Sequence, residues 1–146
     1  MARANGRSAI AIIVMIVGLG FVVAGGITWF IVQDQLEAEN ITVSDDAEML
    51  AGDDVDGPFS AYAQAEVINK HALEATGGKT YAELGRDDPT RQTAMQASFL
   101  RASLFTSVVA FGVAAMAVVL GIALILIGAS LRSLARVAHR AAVAAT

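Results

Sequence analysis

Four sets of residues have types and spacings from which chemistry could be built. Asp53, Asp54 and Asp56 stand just before Gly57, a carboxylate cluster at a turn residue of the kind that ligates calcium. In the register of a calcium-binding loop, however, the first ligand position falls on Gly52 and the twelfth, which needs a bidentate Glu, on Ala63. The cluster therefore reads as a solvated acidic turn, able at most to hold divalent ions weakly. His71 and Glu74 lie one helical turn apart and could share a metal, yet the only other histidine, His139, follows the second apolar stretch. A non-haem iron site needs two histidines and a carboxylate with open positions, so His71 is expected to make a surface hydrogen bond or to touch a partner.

The hydroxyls at Ser60, Ser98, Ser103 and Ser107 have no base and orienting acid in a recognisable arrangement. The glycines of the first apolar stretch are followed by no lysine and form no phosphate-binding loop. No catalytic, cofactor or metal residue is assigned. The absence of cysteine removes disulfides and thiolate sites together.

The elements that would carry these residues are set by charge. The chain has 146 residues, 55% of them apolar and only 16% charged, which is not the balance of a soluble domain. Ala9–Val32 and Ala102–Leu131 contain no charged residue, and each exceeds the roughly 20 residues that cross a hydrocarbon core as a helix. The first is longer than a secretory apolar core of about 15 residues and is expected to remain as an anchor. Neither Arg3 and Arg7 before it nor Arg132, Arg136 and Arg140 at the other end is accompanied by an acid. All 14 acidic residues lie between the two stretches, with five basic ones, a net of −9. Arginine-rich short ends stay cytoplasmic. The expectation is an all-α membrane protein, two transmembrane helices in a hairpin with a partly helical extracytoplasmic loop domain. Its parts are a cytoplasmic tail at 1–8, spans at 9–32 and 102–131, an acidic loop domain at 33–101 and a basic cytoplasmic tail at 132–146. Nucleic acid is excluded as a partner of the loop by its negative charge. The spans carry no intramembrane charge of the kind that marks ion pathways.

Trp29 near the end of the first span is expected at the headgroups as an interfacial anchor. Gly18 and Gly25, like Gly121 and Gly128, are seven apart and share a helix face. Such small-residue faces let helix backbones approach closely, either against each other or against a larger membrane partner. Asp88 and Pro89 have the types of an N-cap and first-turn pair. A helix from Pro89 to Leu131 would be about 65 Å long, a stalk standing clear of the bilayer. Arg132, Arg136 and Arg140 then form a basic stripe opposite Leu131, Leu134, Ala135 and Ala138, an amphipathic continuation suited to anionic lipid headgroups.

Within the loop, Asn40–Ser44 is β-prone and Asp45–Gly57 turn-rich. A helix is predicted over about 59–76, with Ala61, Ala65, Ile68, Ala72 and Ala75 on one face and Glu66, Lys70 and Glu74 exposed. Gly77 and Gly78 should stop it. Thr80 and Glu83 have capping-box spacing for a short helix closing near Gly85.

The segments Asp56–Glu66 (DGPFSAYAQAE), Gly78–Leu84 (GKTYAEL) and Ala97–Ser107 (ASFLRASLFTS) resemble a family of small two-span actinobacterial membrane proteins. Its members often carry an aromatic ring-opening dioxygenase (LigA-type) label. That label conflicts with the metal-ligand inventory above. The chain is also similar to the small accessory subunits of the cytochrome bcc–aa3 respiratory supercomplex. The resemblance covers most of the chain and implies membrane subunits of the cytochrome bc complex and the oxidase as partners, with no haem bound by the chain itself. It further implies contact through the glycine and alanine faces in lipid, and outside through the loop. Tyr62, His71 and Tyr81 are the loop residues expected to make contact, and none of them carries over from a known functional motif.

Overall fold

The computed structural model describes residues 2–144, with side chains described for 9–138 and 140. Met1, Ala145 and Thr146, at the ends of the two expected tails, lie outside the described residues, as do the side chains of Arg3, Arg7 and His139. Three helices follow in order: α1 (Ala2–Ala38), α2 (Pro58–Ala75) and α3 (Arg91–Ala144). Two of them contain stretches, Ala9–Ala38 and Arg91–Ala138, long and apolar enough to cross a membrane. Only 17% of the most apolar window of each is buried inside the protein, unlike the core helix of a soluble domain.

The chain forms two compact units, one of Met1–Thr28 and Val113–Thr146, the other of Trp29–Gly112. In the first, the helices run antiparallel with small residues in contact. Ala11 faces Gly128, Gly18 faces Gly121, and Gly25 faces Ala114. All six are buried. A spacing of seven keeps such a seam facing its partner along both helices. Gly20, Gly26 and Gly112 lie off it, with open space where a Cβ would stand.

The second unit has a protein core of its own. Leu36 from α1, Val43 and Val55 from the intervening loop, Ala61, Ala63 and Ala65 from α2, and Leu104 and Phe111 from α3 form one buried cluster. Trp29, Phe105 and Val108 pack against it. The charge pattern suggested boundaries at 32/33 and 101/102, whereas the units divide at 28/29 and 112/113. Leu104 and Phe111, inside the second charge-free run, serve this core.

Local chemistry explains the ends of each element. Asn40 takes φ +50°, a left-handed position that asparagine tolerates, and α1 gives way to Ile41–Val43. Val43 N–H donates to Asp53 O and Val55 N–H to Ile41 O, both at 2.9 Å. The β-prone run thus forms one antiparallel bridge, Thr42 to Asp54, with Val43 and Val55 turned inward at 1% exposure each. Burying each valine contributes about 1.5–3 kcal/mol. At the start of α2, Pro58 follows an extended Gly57, and the Ser60 hydroxyl accepts from the Gly57 and Asp56 N–H groups at 3.1 and 3.2 Å. At its end, Gly78 N–H donates to Leu73 O at 2.7 Å and Gly77 N–H to Glu74 O at 3.4 Å. With φ of +64° and +84° at the two glycines, this is a Schellman termination that a residue with a Cβ would strain.

Two local expectations are corrected. Thr80 and Glu83 do bond, the Glu83 carboxylate accepting from Thr80 N–H and Oγ1 at 2.8 Å, but Tyr81–Leu84 is a turn rather than a short helix. The threonine hydroxyl donates to the glutamate instead of accepting a backbone N–H, so only half of a capping box exists. Next, α3 starts at Arg91 rather than Pro89. The Asp88 carboxylate binds Thr90 N–H at 2.8 Å and its hydroxyl at 2.6 Å, which places the cap after the proline. As a continuation of the second span, Arg132–Arg140 belongs to α3, which runs unbroken to Ala144.

Candidate functional site

The residues expected to meet partners are dispersed. Tyr62 is exposed on α2, its ring edge-on to Phe105 with centroids 5.9 Å apart. His71, one face round, is bonded through Nε2 to Asp46 Oδ2 at 2.9 Å. Tyr81 sits in the turn beneath the Arg91 guanidinium, 4.1 Å from its ring centre. Tyr62 and Tyr81 line different hollows, so the three do not form one site. Trp29 is half-buried with its ring 4.7 Å from that of Phe111, edge to face. Arg132, Arg136 and Arg140 are all exposed, while Leu131, Leu134, Ala135 and Ala138 line a shallow hollow with Ile10 of the same unit.

Asp46 organises one surface of the second unit. Lys70 Nζ donates to the same Oδ2 atom at 2.8 Å, so one carboxylate oxygen ties the acidic loop to α2 at two successive residues. The Lys70 hydrogen bond, then that of His71, holds the Asp46 carboxyl down to about 2, from its ordinary 3.8. The Lys70 ammonium is pushed up in return, chiefly by its hydrogen bond to Asp46. Nothing in the local pattern marks Asp46, which lies 24 and 25 residues from its partners. Beside this clamp is a hollow of about 570 Å³, with Met49 and Tyr62 among its apolar walls and Asp46, Glu48, Glu66 and Glu74 at its rim.

A second cleft, of about 500 Å³, lies between α2, the turn after it and α3. Arg91 braces its end by donating to the carbonyls of Leu84 and Tyr81. Arg101 reaches Glu66 at 3.4 Å and stands 5.3 Å from the Phe105 ring centre.

Three of the four hydroxyls considered for nucleophilic work are engaged locally. Ser98 donates to Ala94 O at 2.8 Å and Ser107 to Ser103 O at 3.4 Å, both within α3, and Ser60 caps α2. Among the described residues no three His, Cys, Asp or Glu side chains converge as a metal site. Asp53 and Asp54 stand exposed on the bridge strand and Asp56 precedes the cap of α2. No protein-family model, curated protein or solved structure matches the chain.

Proposed function

We propose that this chain is a non-catalytic accessory or assembly subunit of a larger membrane complex, held by two transmembrane helices with both termini cytoplasmic and the Trp29–Gly112 unit outside. The observation that carries this reading is exposed apolar surface outside the two charge-free runs. Phe59, at the first turn of α2, is 74% exposed and Phe99, on α3, 79%. Both lie in the acidic segment, and Met49 and Tyr62 are open beside them in sequence order. Isolated exposed leucines need no explanation, but large rings left out of a unit that has its own core favour a protein partner. The glycine seam is taken up within the chain, so a partner in lipid would meet the outer flanks of the helices.

Among actinobacterial complexes, the cytochrome bcc–aa3 respiratory supercomplex is the assembly proposed, on the family resemblance of the three loop segments. Cytochrome bc and oxidase subunits are then the partners, and anionic lipid lies against the Arg132, Arg136 and Arg140 stripe. A stand-alone envelope scaffold or sensor is the competing reading, favoured by the acid-rimmed hollow at Tyr62, which suits a basic partner segment. The deciding experiment is a mild-detergent pull-down of the chain tagged at its C-terminus, with an absorption spectrum and subunit identification. Stoichiometric a-, b- and c-type haem bands with oxidase subunits support the accessory role. A colourless, homogeneous preparation sinks it in favour of the scaffold.

A further inference from the structure

The cleft between α2, the turn after it and α3 has no part in the assembly role. It exists because small side chains face one another there: Ala72 from α2, Ala94 and Ala97 from α3, with Phe105 at one end. Its volume of about 500 Å³ is within the range of small-ligand sites. Its charge is opposite to that of its surroundings. The acidic segment has five basic residues against 14 acids, and two of those five, Lys79 and Arg101, line this one cleft.

Of the five, the three not firmly engaged are Lys79, Arg86 and Arg101, and two of these belong to the cleft. Lys70 is bound to Asp46, and Arg91 is spent on two backbone carbonyls. Lys79 makes no ion pair within 4 Å among the described residues, and Arg101 has only the long contact to Glu66. The Arg101 Nε–H is shut off from water and has no acceptor, a deficit that folded proteins rarely leave standing. A guanidinium fork offers paired donors matched to a phosphate or carboxylate. An anion seated between Lys79 and Arg101 would let the fork turn to meet it and remove the deficit. The alanine walls call for an apolar chain attached to that anion.

We propose that this cleft binds an anionic membrane lipid, an acyl chain lying along Ala72, Ala94, Ala97 and Phe105 and its phosphate held between Arg101 and Lys79. The proposal rests on the membrane placement above and not on the identity of the complex. The test is native mass spectrometry of the full chain released from nanodiscs of phosphatidylcholine doped with phosphatidylglycerol. The expected result is a phosphatidylglycerol retained in preference to phosphatidylcholine. Retention should fall roughly tenfold in a K79Q/R101Q variant, as loss of charge-assisted bonds to one anion implies. It should fall comparably in Ala97→Leu, which fills the cleft and leaves both charges in place. Equal retention of the two lipids, or retention that neither variant reduces, overturns the proposal. An embedded chain that retains no lipid does so too, and leaves the cleft to an acidic protein segment. A chain that alkaline carbonate strips from membranes overturns the placement itself, so the two failures are distinguishable.

Discussion

Gly18 and Gly121 meet backbone to backbone: a Cβ on Gly18 would lie 2.6 Å from the Gly121 carbonyl oxygen, and one on Gly121 would lie 2.5 Å from that of Gly18. Real Cβ atoms do not approach oxygen so closely, and the obstacle is main chain, which cannot swing aside as a side chain does. Gly18→Ala or Gly121→Ala must therefore part the helices, even though alanine is the better helix former by about 1 kcal/mol. Net destabilisation of about 1–3 kcal/mol is expected from the overpacking. Gly20→Ala and Gly26→Ala, where the added methyl meets open space, should be neutral or slightly stabilising. Unfolding of the detergent-solubilised variants compares the two pairs directly, and equal effects would disprove the seam.

Trp29 is the only tryptophan, so its fluorescence reports one environment. Because Phe111 is 1% exposed and packs against the indole, Phe111→Ala should cost about 3–5 kcal/mol and change the Trp29 emission maximum. An unchanged spectrum in a folded variant would mean the indole is placed by the lipid interface alone.

The Asp46 clamp makes a pH-dependent contribution with a defined sign. Its folded pKa, about 2, lies below the ordinary 3.8, so the stabilisation is complete above about pH 4 and disappears as pH falls through about 2. Lys70 works the other way: its pKa is raised above 10.5, so its share is complete below that value and is lost as pH rises through the raised one. Asp46→Asn should be less stable than the parent chain near about pH 6, with the gap closing toward about pH 2. Denaturant titrations across that range decide the matter, and a gap independent of pH would remove the carboxylate from the account.

The absence of cysteine allows single-cysteine topology mapping without background. Asp87→Cys, in an exposed turn of the acidic segment, should react with an impermeant maleimide in intact cells. Ser133→Cys, exposed beyond the second charge-free run, should react only after permeabilisation. The opposite pattern would invert the proposed orientation.

Sequence periodicity and charge made several features legible because the physics behind them is local. A run without charge, glycines seven apart and a Gly77-Gly78 stop each need only a few neighbouring residues to be recognised, and the two long helices, the α2 helix and its termination follow. Interactions formed across sequence distance were not legible. Asp46 reaches Lys70 and His71 from a turn-rich stretch with no distinguishing pattern, and Arg101 meets Glu66 across 35 positions. Thr80 and Glu83 show a subtler limit: the right pair at the right spacing formed, with the hydrogen bond reversed, and yielded a turn. For Ala102–Gly112, lack of charge has the same signature whether a helix enters lipid or lines a protein core, and only the positions of Leu104 and Phe111 tell which.

The six seam positions confine the demands of helix pairing to a small alphabet. Only Gly fits at Gly18, Gly25, Gly121 and Gly128, where a Cβ would meet main chain, and the small Ala11 and Ala114 complete the seam, while Ile13, Ile16, Val17, Val119, Ile122 and Leu126 point away from the pairing and remain exposed. The identities of those outward residues are answerable to the chain's neighbours and hardly at all to its own fold. A lineage could thus re-aim such a chain at a different membrane neighbour by drift on its flanks, without once renegotiating the contact that holds its two helices together.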